Sequence, residues 1–436
     1  MDIYAQHRRR LMDQLPEGAV ALIYAGAECT RSNDTEYRFR QDSDFFYLTG
    51  FNEPDAVLIL RPGQVPETAI FVRPKDPLME TWHGRRLGAE AAPKALRVEE
   101  AYPLSALDEV LPRLVSGAQV LAYRPGQSER EDSLVSKLLQ QLRNGLRQGL
   151  NAPVSMQDLR LPLHEMRLHK SDAELAIMAR AGEISARAHC RAMRAARPGA
   201  FEYQLEAEIA HECAMAGAVD MAYGTIVGGG DNACILHYTE NRDPLKAGDL
   251  VLIDAGCELE GYAADITRTF PVSGRFSPEQ KALYELVLEA EKSAIAMLAP
   301  GVSIKDANDK VLQILVSGLV RLGILEGEVD ALIAEQAYKP FFMHGLGHWL
   351  GLDVHDVGDY HHADRRRPLA PGMVLTIEPG LYIAPDADVD AKWRGIGIRI
   401  EDNVVITAEG HRVLTDGVPK EIADIEALMA GDREAA

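Results

Sequence analysis

The sequence has no apolar run approaching the ~20 residues needed to cross a bilayer, which excludes membrane-spanning classes. Its start offers no secretory leader either, because Arg8-Arg9-Arg10 is followed by no apolar stretch. Positive charge is in short supply. With 46 Lys and Arg against 66 Asp and Glu, the net charge of −20 argues against nucleic acid as a partner and suits a soluble protein. Cysteine is scarce as well. The five thiols, Cys29, Cys190, Cys213, Cys234 and Cys257, have no metal-ligand spacing, and their odd number points to a reduced, cytoplasmic setting. Low complexity is confined to Gly431 to Ala436, a stretch expected to fray.

What the chain does contain is a repeat. Pro244-Leu245-Lys246-Ala247-Gly248 leads into Asp249-Leu250-Val251-Leu252-Ile253-Asp254, and Pro368-Leu369-Ala370-Pro371-Gly372 leads into Met373-Val374-Leu375-Thr376-Ile377-Glu378. Each copy reads as a turn feeding a strand of apolar and β-branched residues that ends in an acid. A second acid follows each copy, Asp265 after the first and Glu401 after the second. If Asp254 faces Asp265, the first hairpin turns at Leu259-Glu260 and its strands run over Val251–Cys257 and Tyr262–Phe270. Glu401 is then the repeat partner of Asp265, and alternation puts Arg399 on its face of the strand. Carboxylates that close repel unless something positive lies between them, so four of them converging imply a cation.

The repeat extends to helices. Ser171-Asp172-Ala173-Glu174 is a capping box that opens a helix running to Arg197-Pro198-Gly199, and Ser277-Pro278-Glu279-Gln280 opens one running to Ala299-Pro300-Gly301. A second amphipathic helix follows each, with Leu205, Ile209 and Cys213 on one and Val311, Ile314 and Leu315 on the other. The order helix, helix, hairpin thus occurs twice. Two such halves would close about a pseudo-twofold axis, with sheets inside, helices outside and acids at the axis.

Before the second hairpin stand three histidines among three glycines, from His344 through His348 to His355. Neutral imidazole is a common ligand for transition metals, and the glycines let backbone approach closely. One imidazole with four carboxylates makes an oxygen-rich site suited to Mn(II), Co(II) or Fe(II), with Zn(II) also compatible. Pattern alone leaves open which histidine binds.

In their order Asp254, Asp265, His348, Glu378 and Glu401 resemble the ligand set of the dinuclear pita-bread metallopeptidases. The runs His344 to Asp356, Thr376 to Tyr382 and Gly395 to Asp402 look most like aminopeptidase P, the Xaa-Pro aminopeptidases, as do Arg40 to Gly50 and Trp82 to Gly88. The resemblance implies an α/β (α+β) chain, with an N-terminal mixed α/β domain over 1–165 for capping and oligomer contacts and a pita-bread domain over 171–436. It implies two divalent ions, Mn(II) first among the choices, and a bridging hydroxide that attacks the peptide bond before proline. Glu378, His237 and His355 would be catalytic; His344, Tyr382, Arg399 and Trp82 would contact substrate. It further implies peptide substrates with proline in second position and a homo-oligomer, tetramer or dimer. A prolidase confined to Xaa-Pro dipeptides, or a metal-free binding module on the same fold, is the alternative. Arg399 can also be read as neutralising the acids, and Trp82 as core packing.

In the first domain, strands are expected at Val20–Tyr24, Phe45–Leu48, Ala56–Leu60, Ile70–Val72 and Gln119–Tyr123, with helices around Ala92–Leu96 and Glu131–Leu142. The segment Asn151–Lys170, with Pro153 and Pro162, reads as a linker.

Overall fold

The computed structural model describes residues 3–218, 220–362 and 365–431 and divides into two compact units, 1–167 and 168–436. Most of the stretch expected to fray falls outside the described residues. Among those residues no helix is long and apolar enough to cross a membrane.

The first unit is built on a six-stranded mixed sheet in the order Glu100–Pro103, Thr68–Val72, Val57–Leu60, Ala19–Tyr24, Val120–Tyr123 and Ser155–Asp158. Its central strands are buried throughout, which is why Val20, Leu22, Ile59 and Phe71 make near-continuous apolar runs. Two expectations fail here. Phe45–Leu48 lies in a helix, Ser43–Thr49, because the Asp42 side chain accepts from the Phe45 N–H and Gly50 closes the other end at φ 61°. A cap at each end outweighs the strand preference of the aromatic run. The expected linker is ordered structure: Ser155–Asp158 forms a sheet edge and Arg160–Leu168 a helix.

The second unit carries the duplicated fold. Its helices Asp172–Ala195 and Glu202–Met215 pack together, as do Pro278–Met297 and Ile304–Arg321. The capping boxes at Ser171 and Ser277 both form. In each half, the residue that starts the second helix is bridged to the proline that opens the hairpin, Phe201 to Pro244 and Ser303 to Pro368.

The hairpins hold the register that decides where the acids go. Leu250–Asp254 pairs antiparallel with Thr267–Pro271, so Asp254 faces Thr267 and not Asp265. The expected register is off by two residues. Glu260 and Gly261 both take positive φ, 52° and 86°, and form the two-residue turn between Leu259 and Tyr262. The strand also breaks at the glycine opposite Asp265, Gly256, where a Cβ would lie 1.7 Å from the Ala264 carbonyl oxygen. In the second hairpin Val374–Ile377 pairs with Asp402–Thr407 and Gly380–Ile383 with Ile396–Arg399, which sets Glu378 opposite Glu401. Glu401 therefore corresponds to Thr267, and Asp265 corresponds to Arg399.

The contacts across the axis confirm this correspondence. Thr267 and Glu401 bridge each other, by backbone and through a 2.7 Å bond from Thr267 Oγ1 to Glu401 Oε2. Their neighbours Arg268 and Asp402, both fully buried, form an ion pair of 2.8 Å. One step further, Asn403 accepts from the Asp265 N–H and donates to its carbonyl, while Thr269 does the same for Arg399.

Candidate metal centre

Both carboxylates of the first hairpin stand where an apolar strand gives way to the axis. Asp254 ends a strand whose other residues are all buried, and Asp265 is buried opposite Gly256. From the second hairpin come Glu378 and Glu401, the latter only 1% exposed. His348 reaches the same point because its N–H donates to Thr376 Oγ1 and Thr376 donates back to its carbonyl, which fastens the histidine loop to the second hairpin. Its Nδ1 faces the Trp349 carbonyl at 3.0 Å, leaving Nε2 directed at Asp265 Oδ2, 3.4 Å away, and Glu378 Oε1, 3.7 Å away. Donation of Nδ1–H to a carbonyl is the arrangement that orients an imidazole as a ligand through Nε2.

These five side chains line one cleft of about 500 Å³ together with His237, His344, His355 and Arg399. Tyr382 stands behind that wall, 1% exposed. Arg399 Nη1 donates to the Tyr382 hydroxyl at 3.0 Å, that hydroxyl lies 2.8 Å from His344 Nε2, and His344 Nδ1 lies 2.8 Å from the Gly345 carbonyl. Read as a chain of donors, this fixes neutral His344 with its proton on Nδ1. His355 meets His348 edge to face, with ring centroids 4.2 Å apart. His237 and His355 are both exposed on the cleft. The lining of this cleft comes entirely from the second unit; Trp82 stands 75% exposed on the helix Pro77–His83 of the first.

The charges are out of balance. Burial and then neighbouring carboxylates push Asp265 upward and Glu401 well upward, and Glu378 is raised to about 7 by burial, with His348 and Arg399 opposing. Against its own burial, His348 is carried to about 9 by Asp265 and Glu378. His344 goes the other way, to about 4, through burial and the charge of Arg399. Packed acids that hold on to protons are the electrostatic signature of a place where positive charge is wanted. The donor set fits a hard divalent ion, and atoms of Asp265, His348 and Glu401 already lie within 4.8 Å of one another.

Two residues of this constellation escaped the sequence reading. Thr267 was hidden by the register error. Tyr223, whose hydroxyl lies 2.6 Å from Asp254 Oδ1 and 2.5 Å from Asp265 Oδ1, sits in an Ala-Tyr-Gly connection that carries no periodic signal. The ladder that brings Ile226 beside Asp254, with the Ala222 N–H bonded to the Gly256 carbonyl, places it.

Duplication and donor set together put the second unit among the metallopeptidases of the pita-bread fold. Comparison with known proteins is more specific: the chain belongs to metallopeptidase family M24, matched over residues 176–408, and residues 4–123 match the aminopeptidase P N-terminal domain. It is 53% identical over 433 residues to the Xaa-Pro aminopeptidase of Escherichia coli, covering 99% of this chain and 98% of that one. Among solved structures it resembles proline aminopeptidase P II from Yersinia pestis, at 56% identity and a TM-score of 0.96 over 98% of this chain and 99% of the other. Aminopeptidase P from E. coli with the inhibitor Pro-Leu gives 53% identity and a TM-score of 0.97, over 99% and 98%.

Proposed function

We propose that this protein is an Xaa-Pro aminopeptidase, a metal-dependent hydrolase that releases the first residue of peptides with proline in second position. The observation that carries this reading is the convergence of four carboxylates and one oriented imidazole in a cleft, on a chain alike over its full length to enzymes of that name. Asp254, Asp265, His348, Glu378 and Glu401 would hold two divalent ions, Mn(II) being well matched to so oxygen-rich a set. Bound there, such ions supply Lewis-acid activation of water and of the scissile carbonyl.

The remaining roles fall to the protein's own groups. A Glu378 oxygen would take the proton of the attacking water and deliver it to the proline nitrogen. His237 and His355, exposed on the cleft, would donate to the substrate backbone and to charge developing on the carbonyl oxygen. His344, Tyr382 and Arg399, locked to one another, would form the rigid side of the proline pocket, where an imide nitrogen offers no N–H to bind. Trp82, lent to the site of a neighbouring subunit, would contact longer substrates. The first unit would serve as cap and oligomer contact in a cytoplasmic homo-oligomer, tetramer or dimer.

Assay of metal-loaded protein on tripeptides Xaa-Pro-Xaa, dipeptides Xaa-Pro and tripeptides Xaa-Ala-Xaa tests the assignment. Tripeptides with proline should be cut at least as well as the dipeptides. Alanine in place of proline should lose most of kcat/KM, because a pocket that misses a few carbons forfeits roughly 1–3 kcal/mol. Cleavage of dipeptides alone would replace this reading with a prolidase.

A further inference from the structure

Tyr223 belongs to no catalytic role above, yet no other hydroxyl among the described residues is bonded to both aspartates of the centre. Its position is fixed from the same hairpin that carries them. On one side the Ala222 N–H donates to the Gly256 carbonyl at 2.9 Å, and on the other Ile226–Gly229 pairs with Val251–Asp254. The phenol is therefore referenced to the aspartates through a few residues of backbone on either flank.

The oxygen atoms are partitioned. The one proton of the Tyr223 hydroxyl is shared between the Oδ1 atoms of the two aspartates, 2.6 and 2.5 Å from its oxygen. The Oδ2 atom of Asp265 points towards His348 Nε2 at 3.4 Å, and the Oδ2 atom of Asp254 accepts from Arg399 Nη2 at 2.7 Å. A carboxylate is a flat group that turns about one bond. Fixing one oxygen fixes the direction of the other. A single hydroxyl shared by two carboxylates also sets their spacing against mutual repulsion, which neither backbone nor apolar packing can do.

We propose that Tyr223 is a positioning residue of the metal centre: its hydroxyl clasps the Oδ1 edges of Asp254 and Asp265 and thereby presents their remaining lone pairs to the ions. This rests on the ligand set proposed above. The ring itself is dispensable to the argument; the oxygen is the working part. Loss of such an outer hydrogen bond to a ligand typically costs 10–100-fold in metal affinity.

The test is Tyr223→Phe in the full chain, which keeps the ring and removes one oxygen. Mn(II) affinity is measured by competition against a chelator, alongside kcat and KM as a function of free Mn(II), with circular dichroism to establish folding. The expected result is a 10–100-fold weaker apparent affinity for at least one ion, with kcat falling at limiting Mn(II), largely recovering at saturating Mn(II), and KM little changed. Tyr223→Leu, which removes hydroxyl and ring together, should match Phe in affinity if the oxygen alone matters. Wild-type affinity in Tyr223→Phe, with the wild type binding two ions, would overturn the inference and leave the enzyme reading standing. A wild type that binds no divalent ion would overturn both.

Discussion

Each unit contains a cluster of acids, and the two differ in how much positive charge the chain itself sets against them. In the first unit Arg124, 1% exposed, spans Asp42, Asp44 and Glu131 at 2.8, 3.0 and 3.0 Å, and Arg167 reaches Asp44 at 2.8 Å. Asp44 is held well below the usual carboxylate range there, because Arg167, His164 and Arg124 overcome its burial. In the second unit Asp265, Glu378 and Glu401 are all pushed upward, with Arg399 the guanidinium among four acids. A cluster whose charges are paired within the chain holds the fold together. A cluster left short of positive charge is built to receive it from outside.

The sharpest way to break the comparison is to remove one member from each side. Glu378→Gln keeps volume and a ligand oxygen but loses the base, so kcat should drop by about 10²–10⁴ while thermal stability stays near wild type. Arg124→Met should do the reverse. It takes the guanidinium from Asp42 and Glu131, leaves Asp44 to Arg167, and should destabilise the first unit by about 3–5 kcal/mol, leaving the folded fraction active. Stability loss in the first variant and activity loss in the second would erase the distinction.

The metal centre and Asp44 should also answer pH in opposite directions. In the metal-free protein the stability His348 contributes is complete below 6.5 and is lost as pH rises to about 9, while ionising the buried Glu378, raised to about 7, costs stability as pH rises from 4.5, so both weaken the centre with rising pH. Asp44 is lowered, so its contribution is complete above the ordinary aspartate range and is lost as pH falls below it. Hydrogen exchange should show Leu250–Asp254 less protected at pH 9 than at pH 6, with Mn(II) restoring protection, and Ala19–Tyr24 indifferent to both. Equal behaviour of the two strands would refute it. The smallest contrast lies within the centre itself. His344→Ala should bind metal within a few-fold of wild type, whereas His348→Ala should lose 10-fold or more. Equal losses, measured by chelator competition, would mean that the ligand was misassigned.

Much of this was legible from sequence because the signals were local. Ser171 with Glu174, and Ser277 with Gln280, announce helix starts within four residues. Asp254 and Glu378 stand out as acids ending apolar strands. What failed needed information carried by geometry. The turn at Glu260-Gly261 depends on two positive φ values, and misplacing it moved Thr267 out of the centre and mismatched Glu401 with Asp265. Phe45–Leu48 looked like a strand because caps, not side-chain periodicity, decide that segment. Tyr223 is invisible along the chain, since its importance comes from the strand pairing that delivers it.

The buried pair of Arg268 and Asp402 governs how the two halves recognise each other. They occupy equivalent positions, so the contact is a lock whose key is cut only on the opposite half. Two copies of the first half would press Arg268 against Arg268, and two copies of the second would press Asp402, already served by Lys420, against Asp402, both at buried positions. Duplication gave the molecule its symmetry, and this one exchange of sign tells left from right.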